Sequence, residues 1–218
     1  VMCPREKLTR QQGIMTPKDY QLVLDRLKEY IEEVKLPQPF VAQFHLHGFG
    51  EPLFDPNLST KGAMVAEQFP DSSALIITTL GVSRSESYLK NLLLKGKLKL
   101  INVSFYGFQE ATYNAVHKNG NFHTAKKNLA YLAKLNKSLG SPCSILLQLL
   151  VPHTQEIIKK DPTEKKAFQK FMSFFEPLDV KVHGLSLHNY GNGRNYYEPD
   201  ANISMCSVVD GHRQKHLT

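Results

Sequence analysis

The sequence predicts an α/β fold whose mostly parallel sheet winds into a barrel or part of one. Helix-like and strand-like segments alternate along the chain as far as about Leu187. The strand-like segments are apolar almost throughout, as strands covered on both faces are, rather than alternating apolar with polar. Parallel strands joined through helices need right-handed crossovers, which wind a sheet consistently one way.

Each element has a local cause. Thr16-Pro17-Lys18-Asp19 predicts a helix start, with Thr16 as N-cap, Pro17 at the first helical position and Asp19 near the positive end of the dipole. Tyr20, Val23, Leu24, Leu27, Tyr30 and Ile31 follow at helical spacing and predict one buried face. Pro37 and Pro39 stop that helix, and the apolar run Phe40–Phe44 reads as a buried strand. A helix over Ser59–Gln68 ends before Pro70, and Ala74–Thr79 is a β-rich run ended by Leu80-Gly81. Ser85–Leu94 is helical, Lys99–Phe105 a strand, Gln109–His117 a short helix, and His123–Leu139 a longer one closed by Gly140. Ser144–Val151 is a strand, Pro162–Phe175 a helix and Val180–Leu187 the last strand. From Asn189 onward the chain turns loop-like and irregular.

Composition bounds the function classes. A chain of 218 residues is one domain with room for a large core. No apolar run approaches the ~20 residues of a membrane span. Three cysteines, Cys3, Cys143 and Cys206, are too few and too scattered for a disulfide framework, which points to a reducing, cytoplasmic compartment. Cys143 opens an apolar strand and reads as core. The net charge of +7 suits either an anionic partner such as RNA or a lysine-rich solvated surface. Lys90, Lys126, Lys159 and Lys165 are dispersed over several helices rather than gathered with aromatics, which favours the surface and argues against nucleic acid.

The chemistry concentrates at the end of the first predicted strand, in Phe44-His45-Leu46-His47-Gly48-Phe49-Gly50-Glu51-Pro52. In parallel α/β sheets, ligands bind at the C-terminal ends of strands, on loops held by a rigid scaffold. Glycines at Gly48 and Gly50 let a ligand approach the backbone, and their carbonyls together with Glu51 could accept hydrogen bonds from a cationic amine. The alternative is a tight turn with an exposed glutamate.

The N-terminus adds a second motif. The opening Val1-Met2-Cys3-Pro4-Arg5, with Gly50-Glu51-Pro52 downstream, resembles the radical S-adenosylmethionine (radical SAM) superfamily. That family carries a cluster loop C-x-x-x-C-x-x-C after its first strand and a G-E-P-type motif after its second. Cys3 takes the place of the third cysteine and Met2 that of the apolar residue before it. The resemblance therefore implies a chain that starts inside its cluster loop: a partial (β/α)6 TIM-like barrel with the first strand missing. Residues 1–198 are then the core and 199–218 the start of a C-terminal extension of the SPASM or twitch kind.

Further positions match singly. Thr78-Thr79-Leu80-Gly81 is similar to the family's T-N-G, with Leu80 for asparagine; Thr79 either bonds near the cofactor or satisfies the strand end. Ser104-Phe105-Tyr106-Gly107 resembles S-x-D-G, with Tyr106 for aspartate. Thr112–Phe122 resembles a following h-d-x-i-R-G-x-x-G-s-F stretch, with His117 for arginine. Leu187-His188-Asn189 resembles the exit of the sixth strand, where backbone meets adenine; His188 is equally a loop histidine. Met205-Cys206 resembles the first cysteine of an auxiliary-cluster domain, or a free thiol.

The resemblance implies the chemistry. Three thiolates, Cys3 among them, would ligate a [4Fe–4S] cluster with one iron open to S-adenosylmethionine. Met2, Gly48, Phe49, Gly50, Glu51, Pro52, Thr79, Ser104, His117 and His188 would line the cofactor. Glu51 and the Gly48–Gly50 backbone would take the amino group, Ser104 and His117 the carboxylate or ribose, and Met2 would pack near adenine. Reductive cleavage would give a 5′-deoxyadenosyl radical that abstracts hydrogen from a substrate, with peptide or protein among the candidates. A flavodoxin or ferredoxin would donate the electron. A zinc hydrolase is the competing enzyme reading: His45 and His47 share one strand face, with His183 and His188 as further ligands, but no Asp ends a strand. A non-catalytic, basic RNA-binding module is the third reading.

Overall fold

The computed structural model describes Thr9 and residues 13–48, 50–105, 107–117, 120–150 and 162–185. Five strands, β1 (Gln43–His45), β2 (Ser73–Thr78), β3 (Leu100–Ser104), β4 (Ser144–Leu150) and β5 (Lys181–Leu185), form one sheet in the order β1-β2-β3-β4-β5. Every neighbouring pair is parallel. The helices are α1 (Pro17–Glu33), α2 (Leu58–Gln68), α3 (Glu86–Leu94), α4 (Glu110–Val116), α5 (Phe122–Ser138) and α6 (Pro162–Phe175), with short 3₁₀ turns at Pro52–Phe54 and Glu176–Leu178. The fold is thus α/β with an all-parallel sheet, as the sequence predicts.

Helix starts are built as their sequences dictate. Thr16 caps α1 by accepting from the Asp19 amide at 3.1 Å, and its hydroxyl donates to the Asp19 carboxylate at 2.7 Å. Ser85 accepts from the Tyr88 amide at the start of α3, and Asn121 from the Thr124 amide at the start of α5. Gly140, at φ +79°, ends α5 in the left-handed conformation that glycine adopts without cost.

Sequential strand order and a single hand of crossover place all helices on one face. Alternate strand residues accordingly divide into two sets. Ala74, Ile76, Ile101, Val103, Phe105, Ile145, Leu147 and Leu149 join the main core, packed against the helices. There Phe105 meets Tyr113, Phe122 and Phe171 at ring separations of 5.0 to 5.6 Å. The register sets the opposite face row by row: His45, Leu75, Leu100 and Ser144 in one row, then Ile77, Asn102, Leu146 and Lys181, then Ser104, Gln148 and His183. Residues i and i+2 share a face, so His47 and Thr79 extend the second and third rows.

Two expectations need correction. The first strand is Gln43–His45 rather than Phe40–Phe44, and it is not buried on both faces: Gln43 and His45 are exposed, as is Val41 before them. Its ladder can begin only where β2 begins, and the Ser73 amide donating to the Ala42 carbonyl at 2.9 Å marks that point. Phe40 instead packs edge-on against Phe69. On α1, Leu24 and Ile31 are buried and Tyr20 and Leu27 partly so, but Val23 and Tyr30 are exposed. The apolar stripe is wider than the strip that α2 and the sheet cover. The expected extension at 199–218, with Cys206, lies outside the described residues, as do Met2, Cys3, Phe49 and His188. Among the described residues no helix is long and apolar enough to cross a membrane.

Candidate functional site

In a parallel sheet all C-terminal strand ends lie on one rim. The loops leaving β1, β2 and β3 bring Gly48, Gly50, Glu51, Pro52, Thr79 and Ser104 to that rim, and α4 ends at His117 beside it.

Glu51 organises the rim. It caps the 3₁₀ turn, with Oε1 accepting from the Leu53 amide at 3.1 Å and also from the Thr78 hydroxyl. Its Oε2 accepts from the Thr79 amide and the Thr79 hydroxyl, each at 2.7 Å. A carboxylate has about four lone-pair positions, and four donors of this chain occupy them. The carboxylate therefore staples the β1 loop to the end of β2, which is a different job from the spare acceptor that the sequence suggests. The loop is pinned elsewhere too. Arg84 Nε donates to the Leu53 carbonyl at 2.5 Å, Tyr88 donates to the Asp55 carbonyl at 2.7 Å, and Lys61 pairs with Asp55 at 2.5 Å with both side chains nearly buried. Burial pushes the Tyr88 hydroxyl up to about 12, with Arg84 acting against it, so the phenol stays a donor.

Gly48 stands in contrast to this crowding. A side chain there would meet nothing within 4 Å, so the fold itself does not demand glycine. Its carbonyl accepts from the Gly50 amide at 3.0 Å and keeps a second lone pair.

The loop after β2 turns through Leu80 at φ +54°, a left-handed conformation that costs a branched side chain about 1–2 kcal/mol and suits Asn or Gly better. This is the position where the T-N-G resemblance has asparagine. Leu80 is fully buried, its amide donates to Thr78 Oγ1 at 3.0 Å, and Asn128 Nδ2 donates to its carbonyl at 2.8 Å. Core burial and these bonds offset the strain. Thr79 therefore works for the strand end and the rim at once: besides its bonds to Glu51, its hydroxyl accepts from the Gly81 amide at 3.2 Å and its carbonyl accepts from the Tyr113 hydroxyl at 3.3 Å.

Ser104 and His117, paired by the sequence reading, do come together. Ser104 is buried at the end of β3, and the His117 ring hydrogen-bonds to its backbone. The ring lies 4.5 Å from that of Tyr113. Burial lowers the His117 pKa to about 4, and the Ser104 bond opposes that only in part. At neutral pH His117 is uncharged and does not reproduce the arginine it stands in for.

His45 and His47 also share a face, with rings 5.3 Å apart. His47 Nδ1 accepts from the Ile77 amide at 3.2 Å, extending the β1–β2 ladder by a side chain. That bond puts the imidazole proton on Nε2, the wrong tautomer for Nε2 to ligate a metal. Burial, then the His45 charge, lowers the His47 pKa. His183 is on the same face but four strands away on β5. Among the described residues no three His, Cys, Asp or Glu side chains gather as a metal site. Cys143 is core as expected, its thiol pushed up to about 12 by burial.

Sequence reasoning missed Asn102 and Gln148. Both are polar residues inside apolar runs, and both face away from the helices. The signal was there, a polar residue two before Ser104 and another at the same spacing within β4, but its meaning depends on register. No protein-family model matches this chain, and comparison with curated proteins found no match.

Proposed function

We propose that this chain is the core of a radical SAM enzyme, a partial (β/α)6 barrel that binds a [4Fe–4S] cluster and S-adenosylmethionine. The observation that carries the reading is the shared rim. Gly48, Gly50, Glu51, Thr79, Ser104 and His117, named by separate motifs scattered over 70 positions, lie at the same end of one parallel sheet. The left-handed backbone at Leu80, where the family has asparagine, supports it independently.

The described residues fit the organic cofactor in a revised division of labour. The Gly48 carbonyl, at a position where a side chain would meet nothing within 4 Å among the described residues, offers an acceptor to an amino group. Glu51 acts by positioning: it fixes that backbone and Thr79 rather than offering a lone pair of its own. Ser104 can donate to a carboxylate or ribose. His117 holds no charge at neutral pH and has its ring committed to the Ser104 backbone, so it orients the β3 end. Cys3 would be one thiolate ligand of the cluster, with Met2, Phe49 and His188 completing the cofactor's surroundings as the resemblance implies. When bound, the cluster and S-adenosylmethionine would supply one-electron chemistry and hydrogen abstraction. The protein's share is orientation at the rim and exclusion of water. Cytoplasmic residence, a flavodoxin or ferredoxin donor and a peptide or protein substrate belong to the same proposal.

The test uses the full-length protein. Anaerobic reconstitution with iron and sulfide should give an iron–sulfur spectrum and reductant-dependent release of 5′-deoxyadenosine. Cys3→Ala should abolish both. Glu51→Ala should keep the spectrum and weaken S-adenosylmethionine binding, because the loop after β1 and Thr79 lose the carboxylate that fixes them. Stoichiometric zinc held by His45 and His47, with no deoxyadenosine formed, would replace this reading with the hydrolase.

A further inference from the structure

The face of the sheet turned away from the helices carries a feature that the cofactor motifs do not use. Asn102, in the middle of β3, is 8 % exposed, and its Oδ1 is buried with no hydrogen-bond partner among the described residues. Its strand neighbours Ile101 and Val103 belong to the helix-side core, so Asn102 points to the opposite face of the sheet. In register it lies between Ile77 and Leu146. One row nearer the rim, Ser104 stands beside Gln148, whose carboxamide is half-buried on the same face.

An unpaired buried carbonyl oxygen is costly, and native structures keep few of them. Leucine is nearly isosteric with asparagine and would fill this position without that cost. A buried carbonyl oxygen with no donor among the described residues, beside a candidate binding rim, is a place for a ligand N–H. Its carboxamide offers one acceptor and one donor in a plane, and Gln148 repeats that pair on the next strand. The complement of such a set is a group with N–H and C=O together. The row neighbours of Asn102, Ile77 and Leu146, are uncharged, and the basic side chains of these rows, Lys181 and His183, stand exposed on β5.

We propose that Asn102 and Gln148 form a subsite for a neutral peptide-type amide, by which a polypeptide substrate is held below the rim on the sheet face opposite the helices. This rests on the radical SAM reading and gives its polypeptide substrate a binding subsite, but the binding step needs neither cluster nor cofactor. Failure of deoxyadenosine formation and failure of amide binding are therefore separate results.

The probe is N-acetylglycine N′-methylamide, titrated into ¹⁵N-labelled protein, with acetate as an anionic control. The side-chain NH₂ resonances of Asn102 and Gln148 should shift saturably with the amide and not with acetate. Gln148→Leu, at a half-buried site, should weaken the amide about tenfold, the scale of one lost neutral hydrogen bond. Asn102→Leu should abolish the shift at Gln148 and raise the melting temperature, because it removes an unpaired buried acceptor. Absence of amide-dependent shifts, equal shifts with acetate, or unchanged affinity in Gln148→Leu would overturn the proposal. So would a lowered melting temperature in Asn102→Leu, since it would mark a purely structural role for Asn102.

Discussion

At the scale of single residues, His117 has the clearest measurable consequence. Its folded-state pKa of about 4 lies below the ordinary value of 6.5. Between these two pH values the unfolded chain takes up a proton at His117 that the folded chain refuses. The neutral imidazole's contribution is thus complete above pH 6.5 and is lost as pH falls toward 4. Urea unfolding from pH 7 to 4 should show the wild type losing more stability than His117→Gln, whose side chain does not titrate. Parallel curves for the two proteins would contradict the burial argument. The partnership of His117 with Ser104 was legible in the sequence as motif order, but its neutral state was not, because burial depends on Tyr113 and the core around it. Leu80 is a similar case. A leucine in a Thr-Thr-Leu-Gly string gives no sign of a positive φ, since the conformation is imposed by the bonds to Thr78 and Asn128. Glu51 was visible as a rim carboxylate, yet its partners Thr78 and Thr79 are 27 and 28 positions away.

At the scale of elements, α2 and the turn after α3 meet through two glycines. A Cβ on Gly62 would stand 2.3 Å from the Gly96 carbonyl oxygen, a backbone atom that cannot swing aside. Ala is normally the better helix former by about 1 kcal/mol. Here Gly62→Ala should instead destabilise by roughly 1–3 kcal/mol, the usual cost of overpacking, seen as a lower urea midpoint with an unchanged slope. A stabilised variant would show that α2 can slide on its neighbour at little cost. Periodicity sufficed to place the six helices and five strands of the described residues near their observed bounds, because each long element carries its own repeat and its own stop signals. It failed where a boundary is decided by a neighbour: at β1, whose ladder waits for β2, and on α1, where Val23 and Tyr30 fit the helical stripe but find nothing to cover them.

At the scale of the whole molecule, each described strand pairs only with those adjacent to it in sequence. β3 has a partner and a further strand on each side, whereas β1 has three residues and β5 a single described neighbour. Native-state hydrogen exchange should therefore be slowest at β3 amides such as that of Val103, and faster by orders of magnitude at Phe44 in β1. Equal protection at both would mean that the sheet opens only as one unit.

The same strand order bears on how the chain is made. Successive strands from β1 to β5 begin 27 to 44 residues apart, so a ribosome adding roughly 5–20 residues per second exposes a new one every few seconds. Helices and local pairings form in microseconds. Among the described strands, each new one finds its preceding partner already synthesised and need not wait for a distant segment. The sheet can be laid down vectorially, one β/α unit at a time, and its apolar strands need not linger unpaired in the cell while translation proceeds.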